Sequence, residues 1–150
     1  AECSHDCANC SEKCSKESLL APMNKASKVK RVIGVVSGKG GVGKTNIAVN
    51  MGIAFAQLGK KVVVMDADLG LANVNVCLGI IPKFNLYQLI KKQKTMEEII
   101  VDTDYGIQIV AGASGFSKLA NLSDRERSDF ISELDVLSYA DILIIDTGAE

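Results

Sequence analysis

The sequence lacks a long apolar run and an excess of charge of either sign. No run approaches the roughly 20 apolar residues that a membrane-spanning helix requires. The first residues are polar and cysteine-rich, unlike the basic and then apolar start of a secretory signal peptide. With a net charge of −1, the overall balance gives no reason to expect nucleic acid or an anionic membrane as a partner. These absences predict a cytoplasmic protein, in which disulfides are not expected to persist.

The composition is that of one folded domain. The chain has 150 residues, of which 47% are hydrophobic and 23% charged, enough for a buried core. It does not begin with Met and it stops directly behind an apolar strand pattern, so we expect a C-terminally incomplete α/β domain.

The most informative stretch is GKGGVGKT at residues 38–45, between an apolar run and a helical pattern. It matches the phosphate loop G-x-x-x-x-G-K-[ST] of nucleoside triphosphatases. Glycines let successive backbone N–H groups face phosphate oxygens, Lys44 supplies a cation, and the Thr45 hydroxyl suits Mg²⁺. The predicted nucleotide-binding residues are Gly38, Lys39, Gly40, Gly41, Val42, Gly43, Lys44, Thr45 and Asn46.

A dinucleotide-binding turn is the main alternative for this stretch. Gly38, Gly40 and Gly43 also satisfy G-x-G-x-x-G, and Asp66 follows at the end of the next predicted strand. Such a turn has no use for a Lys-Thr pair directly after its third glycine, whereas a magnesium–triphosphate site needs both. The phosphate loop is therefore the favoured interpretation, with a ligand-free glycine turn as the remaining one.

Apolar strand patterns alternate with helical ones beyond the phosphate loop. Strands are predicted at 31–37, 61–66, 107–111 and 141–146, and helices at 46–58, 85–92, 95–101 and 123–137. This alternation predicts a three-layer P-loop fold, with a mostly parallel sheet covered on both faces. The predicted organisation is a cysteine-rich segment at 1–18, a linker at 19–30 and the P-loop domain at 31–150.

Three aspartates follow predicted strands at the edge where parallel sheets bind ligands. Asp146 comes after four apolar residues and has the form of a Walker B aspartate, which holds Mg²⁺. Asp66 and Asp68 alternate, so in an extended segment they share a face and can reach the metal or the attacking water. For each of the three, an aspartate that only caps a turn is the structural alternative.

These residues resemble the MinD/ParA/Mrp group of ATPases, whose deviant Walker A motif carries a second lysine, here Lys39. The resemblance implies an ATP-dependent homodimer in which Lys39 reaches the phosphates bound by the partner. It also implies that Lys44 binds phosphate within its own subunit, that Thr45 is a Mg²⁺ ligand, and that Asp68 orients the hydrolytic water. Asp66 and Asp146 are predicted as further Mg²⁺ residues from their positions at strand ends. The implied activity is a slow, dimerisation-dependent ATPase.

Residues 45–150 are most similar to FlhG, a MinD-like regulator of flagellar number and placement. The segments NIAVNMGIAFAQLGKKVVVMDADLGLANVNVCLG and GASGFSKLANLSDRER carry this similarity. It implies a flagellar assembly GTPase as partner. The chain departs from the FlhG pattern in three respects: it shows no N-terminal DQAxxLR-type segment, it shows no C-terminal amphipathic helix that would support membrane association, and it has Glu150 where the family shows glycine.

Four cysteines near the start, Cys3, Cys7, Cys10 and Cys14, are spaced C-x3-C-x2-C-x3-C. Four thiolates this close suit one [4Fe–4S] cluster or, as the less favoured option, one Zn²⁺. A disordered tail with free thiols is the alternative. His5 is not needed as a fifth ligand, and Cys77, alone in an apolar stretch, is predicted to be a small core residue.

Residues 1–44 have a resemblance of their own, to the Mrp/ApbC-type iron–sulfur carrier ATPases. It implies a second function, a cluster carrier or scaffold that hands iron and sulfide to a client protein. The carrier family's C-x-x-C motif is not found in the C-terminal half of these 150 residues. The sequence thus predicts an ATP-dependent switch first and an iron–sulfur carrier second.

Overall fold

The computed structural model of the protein describes residues 30–39, 41–68, 71–113 and 122–148. The predicted cysteine-rich segment, nearly all of the linker, Gly40 and Glu150 lie outside these ranges. The predictions for Cys3, Cys7, Cys10 and Cys14 therefore stay predictions.

Five strands form one mixed sheet. Their bounds are β1 Val32–Val35, β2 Val62–Ala67, β3 Ile100–Asp102, β4 Gln108–Val110 and β5 Ile142–Thr147. The spatial order is β1-β5-β2-β4-β3, with β3 antiparallel to β4 and every other pair parallel. The mostly parallel sheet predicted from the sequence is confirmed.

Helices cover both faces of this sheet. Their bounds are α1 Lys44–Gln57, α2 Val74–Cys77, α3 Leu86–Ile90, α4 Met96–Ile99 and α5 Asp124–Glu133, and a 3-10 helix follows at Leu134–Tyr139. Because side chains alternate along a strand, Val62 and Val64 pack with α1 and α2, whereas Val63 and Met65 pack with α3, α4 and the 3-10 helix. The two separate cores confirm the predicted three layers. No helix among the described ranges is long and apolar enough to cross a membrane.

Gly52 lets α1 lie close against the centre of the sheet. A Cβ atom at this position would lie 2.9 Å from Val64 Cγ2, closer than side-chain carbons approach one another. The close approach holds the middle of α1 against the central residues of β2 and β5.

Three predicted helices are shorter than expected, and the one predicted at 85–92 spans only Leu86–Ile90. The helix predicted at 95–101 ends at Ile99, because Ile100 is extended and begins a strand that pairs with Val110. The β-branched run Ile99-Ile100-Val101 favours this change to a strand. The helix predicted at 123–137 opens at Ser123 with the expected capping box to Glu126 but tightens to a 3-10 helix after Glu133.

The prediction that Cys77 is a core residue is wrong. Cys77 ends α2 and is exposed, because the buried residues of this short helix and its end are Val74 and Leu78. Its Sγ lies 3.8 Å from Asn46 Oδ1, which brings α2 against the first turn of α1.

Candidate nucleotide-binding site

The predicted phosphate loop connects the end of β1 to the start of α1. Gly41 and Gly43 have φ angles of 71° and 83°, in the left-handed region that glycine adopts without strain. The first hydrogen bond of the helix runs from Ile47 N to Gly43 O at 3.0 Å, and no side chain caps the N-terminus of α1. The amides of the first helical turn are thus available to an anion, and the helix dipole favours one there.

Lys39 and Val42 lie on the exposed side of this loop. The Ser37 hydroxyl closes a small turn at its start: Lys39 N donates to Ser37 Oγ at 3.2 Å, and Ser37 Oγ lies 3.3 Å from Lys39 O. The backbone of Lys39 thus takes part in a local turn, while the residue as a whole is exposed. Gly38 and Asn46 are likewise exposed, and Lys44 and Thr45 are half-buried.

Asp146 lies at the centre of the site because β5 runs between β1 and β2. Across the sheet its Cα pairs with Val35 on one side and Asp66 on the other. The residue is 1% exposed, and neither carboxylate oxygen accepts a hydrogen bond from any described residue. Burial raises the pKa of Asp146, and the nearby charge of Asp68 adds to this effect.

The phosphate-loop side chains act on Asp146 in the opposite direction. The Thr45 hydroxyl and the Lys44 ammonium group both lower the pKa of the Asp146 carboxyl. The Thr45 hydroxyl is near enough to stabilise the carboxylate, but neither Asp146 oxygen has a hydrogen bond of normal geometry among the described residues. A buried carboxylate without hydrogen bonds is costly unless a cation or a proton joins it.

This arrangement fits a magnesium ion of the kind that accompanies a nucleotide. Mg²⁺ prefers oxygen ligands and commonly takes only one or two protein groups, with waters and phosphate oxygens completing its shell. Thr45 and Asp146 supply a hydroxyl and a carboxylate of this type. No cluster of three or more His, Cys, Asp or Glu side chains that could hold a metal by itself occurs within the described ranges.

Asp66 is buried beside Asp146 but, unlike it, has several hydrogen bonds. Its Oδ2 accepts from Asn73 N at 2.8 Å and from Val74 N at 3.0 Å, and its Oδ1 accepts from Asp68 N at 3.0 Å. Burial raises the pKa of Asp66 to about 6, although these three amides oppose the shift. Three of the roughly four acceptor positions of a carboxylate are thus occupied by backbone.

Asp68 follows on the next turn, where β2 has ended. Its Oδ1 accepts a hydrogen bond from Leu71 N at 3.0 Å, and a Cβ atom placed on Gly148 would lie 3.2 Å from the same oxygen. Asp68, in the loop that leaves β2, therefore lies against the loop that leaves β5. The structure brings together the described phosphate-loop residues, Asp66, Asp68 and Asp146, which the sequence predicted to share one edge of the sheet.

Three residues that matter to the geometry were not among the predicted site residues. Thr147 Oγ1 donates to Val35 O at 3.0 Å and ties the end of β5 to the start of the phosphate loop. Gly112 and Gly148 lie so close to Asp66 and Asp68 that a larger residue would displace them. Thr147 has a sequence signal, since it directly follows the Walker B aspartate; Gly112 has none, because it lies in an ordinary loop pattern.

A profile of the AAA domain family, AAA_31, matches residues 30–149. The chain belongs to this family, and its relatives assign it to the MinD/ParA group within it.

Three relatives illustrate the similarity. The chain is 42% identical to the antiactivator FleN of Pseudomonas aeruginosa over 120 residues, which cover 79% of this chain and 43% of FleN. It is 40% identical to the flagellum site-determining protein YlxH of Helicobacter pylori over 120 residues, 79% of this chain and 41% of YlxH. The solved structure of the septum site-determining protein MinD of Pyrococcus horikoshii with Mg-ADP superposes with a TM-score of 0.68 at 30% identity, covering 80% of this chain and 49% of MinD.

The chain thus spans less than half the length of each of these relatives. The family and the fold are established over the matched residues.

Proposed function

We propose that this chain is the nucleotide-binding part of a MinD/FlhG-like ATPase switch that binds ATP with Mg²⁺. The observation that carries the proposal is the pairing of two unsatisfied groups across the site. The uncapped amides of α1 favour an anion, and the buried, unpartnered carboxylate of Asp146, whose pKa is influenced by Thr45, favours a cation. A magnesium–nucleoside triphosphate satisfies both at once.

Each residue of the site then has a distinct part in hydrolysis. Lys44 and the amides of the phosphate loop bind the β- and γ-phosphates, and Thr45 and Asp146 hold Mg²⁺, which neutralises charge on the phosphate oxygens. Asp68 orients the attacking water. Lys39 of a second copy reaches the γ-phosphate across the interface, which makes hydrolysis depend on dimerisation.

The biological role we propose is control of the placement or number of a cellular structure, through an ATP-dependent homodimer that engages a partner protein. It is supported by the flagellar and septum-placement relatives, FleN, YlxH and MinD. A flagellar assembly GTPase is the proposed partner. Adenine as the base rests on the MinD relative, which was solved with Mg-ADP.

Isothermal calorimetry with Mg-ATP tests the nucleotide site. Wild-type protein is expected to release heat with a 1:1 stoichiometry, and Lys44→Ala is expected to abolish it because the phosphate cation is lost. Lys60→Ala, which removes an exposed lysine just beyond the C-terminal end of α1, is the matched control and should bind like wild type. Unchanged affinity in Lys44→Ala would rule out the proposed phosphate cradle.

Light scattering with ATP and with ADP tests the switch. ATP with Mg²⁺ is expected to raise the dimer fraction, and Lys39→Ala to prevent that rise while leaving nucleotide binding intact. A chain that stays monomeric with saturating ATP would contradict the switch while leaving the nucleotide site standing.

The four-cysteine spacing favours one further candidate, an iron–sulfur carrier whose ATPase modulates cluster delivery. Anaerobic reconstitution with iron and sulfide is expected to give brown protein with about four of each per chain if Cys3, Cys7, Cys10 and Cys14 hold a [4Fe–4S] cluster. Colourless protein with one bound Zn²⁺ would indicate a structural site instead.

A further inference from the structure

Asp66 and Asp146 are neighbours on adjacent strands, yet their surroundings differ. Both are buried and their Cα atoms are in register, but Asp146 has no hydrogen bond from the described residues while Asp66 accepts three. Two equivalent magnesium ligands would be expected to have similarly open oxygens. The difference indicates that the two carboxylates have different tasks.

The three hydrogen bonds to Asp66 come from the two ends of the loop that carries Asp68. Oδ1 binds the amide of Asp68 itself, and Oδ2 binds the amides of Asn73 and Val74, where α2 begins. One carboxylate thus joins the end of β2 to the start of α2. Charge-assisted hydrogen bonds of this kind are about twice as strong as neutral ones.

Gly112, in the loop that leaves β4, closes the same region from the other side. A Cβ atom there would lie 2.9 Å from Ala72 Cβ, 2.9 Å from Asp66 O and 3.0 Å from Asp66 Cγ. Asp66 O is a backbone atom and Ala72 Cβ is fixed to its backbone, so relieving these two contacts would require a backbone shift. Asp66 and Ala72, on either side of Asp68 in the sequence, therefore both lie close against the backbone at Gly112.

We infer that Asp66 is a positioning residue: its carboxylate fixes the backbone amides of Asp68, Asn73 and Val74 close to Gly112, and it acts on hydrolysis through Asp68 rather than as a magnesium ligand. The inference rests on the proposed function for its effect on hydrolysis. The clamp itself rests only on the hydrogen bonds and contacts of the protein.

Kinetics of Asp66→Asn, Asp68→Asn and the double variant test the route through Asp68. Misplacing a water-orienting group by about 1 Å can reduce the rate about 100-fold, so kcat of Asp66→Asn is expected to fall by about that factor. The double variant should be no slower than Asp68→Asn alone, because both substitutions disable one unit. In Asp66→Asn, the half-saturating Mg²⁺ concentration and the affinity for Mg-ATP should stay close to the wild-type values. Asp104→Asn, which replaces an exposed aspartate, is the control and should also keep both values.

Hydrogen exchange tests the clamp without any activity. In the protein without nucleotide or Mg²⁺, the amides of Asn73 and Val74 are expected to exchange slowly, and about 10-fold faster or more in Asp66→Asn, which offers only one uncharged acceptor oxygen. Gly112→Ala leaves every titratable group in place and should speed the same amides and lower kcat. It serves as the second test if Asp66→Asn does not fold.

The results separate this inference from the proposed function. Wild-type protein that neither binds nor hydrolyses Mg-ATP would refute the proposed function, and the exchange data would still report on the clamp. If wild type is active, the inference is overturned by a rise of about 10-fold or more in half-saturating Mg²⁺ for Asp66→Asn with unchanged amide exchange, the signature of a lost ligand. Rate losses of Asp66→Asn and Asp68→Asn that simply multiply would overturn it as well.

Discussion

Asp146 is the residue where stability and binding conflict. Its carboxylate is buried, its pKa is raised by burial, and no described residue donates a hydrogen bond to it. Such a group lowers the free energy of unfolding of the ligand-free protein. A bound cation that pairs with the carboxylate offsets this cost.

Asp146→Asn is therefore expected to make the ligand-free protein more stable and less able to bind. Removing the buried charge should raise the free energy of unfolding by about 1 kcal/mol. The affinity for Mg-ATP should fall because the metal loses its carboxylate. Urea unfolding without ligand measures the first effect and calorimetry the second. A variant that is both less stable and fully competent in binding would contradict this account of Asp146.

At the scale of elements, the contact of α1 with the sheet depends on Gly52. Replacing a helical glycine by alanine ordinarily gains about 1 kcal/mol from helix propensity. At this position the new Cβ would lie 2.9 Å from a methyl group of buried Val64, so the strain is expected to exceed that gain.

Gly52→Ala is thus expected to lower the free energy of unfolding by about 1 kcal/mol or more. Ala54→Gly, at an exposed position of the same helix, measures propensity alone and should cost about 1 kcal/mol. Chemical denaturation of both variants makes the comparison. A stabilised Gly52→Ala would show that α1 can move away from the sheet at no cost.

Asp141 joins the starts of two adjacent strands. Its Oδ2 accepts from Lys61 N at 3.0 Å, its Oδ1 accepts from Lys30 Nζ at 3.2 Å, and its own amide donates to Lys61 O at 2.8 Å. The hydrogen bond from Lys61 N, followed by the one from Lys30, lowers the pKa of the Asp141 carboxyl below its usual value.

This shift predicts an acid-dependent part of the stability. A lowered folded pKa stabilises the protein fully above the pKa of the unfolded group, about 3.9, and the contribution is lost as the pH falls through the lower folded pKa. Asp141→Asn should therefore flatten the fall in stability below about pH 4, measured by urea unfolding across the acid range. Asp104→Asn, at an exposed turn, should keep the wild-type profile; equal profiles for wild type and Asp141→Asn would contradict the assignment.

For the whole molecule, nucleotide binding should appear as stabilisation against heat. A ligand that binds only the folded state adds about 2.7 kcal/mol at 100 times its Kd. Mg-ATP is accordingly expected to raise the Tm of wild type, and EDTA to remove most of the gain. Lys44→Ala should show no shift, and Lys60→Ala the full shift. A shift of equal size in Lys44→Ala would place the bound nucleotide elsewhere on the protein.

Much of the architecture was predictable because the strands are marked by apolar runs that end in glycine or aspartate. The phosphate loop and the aspartates of β2 and β5 were placed correctly at one edge of the sheet, since carboxyl ends of parallel strands meet there. The short strand β3 was missed because its three residues continue a helical pattern. Gly112 was missed because its importance comes from a contact with Ala72 and Asp66, which local pattern cannot show.

The difference between Asp66 and Asp146 was also beyond the sequence. Both aspartates follow four apolar residues. They differ because three backbone amides donate hydrogen bonds to the Asp66 carboxylate, whereas the Asp146 carboxylate accepts none from the described residues. Such distinctions depend on the path of the loop after each strand.

The strand order has a consequence for how the protein comes to exist in the cell. β5, the last of the described strands, occupies the position between β1 and β2, and Thr147 donates a hydrogen bond to Val35 across 112 residues of sequence. During synthesis on the ribosome, the phosphate loop therefore lacks its contact with β5 until residues 142–147 have been translated. We expect nucleotide binding to appear abruptly once the chain reaches that length, because β1 and β2 are joined in the sheet only through β5.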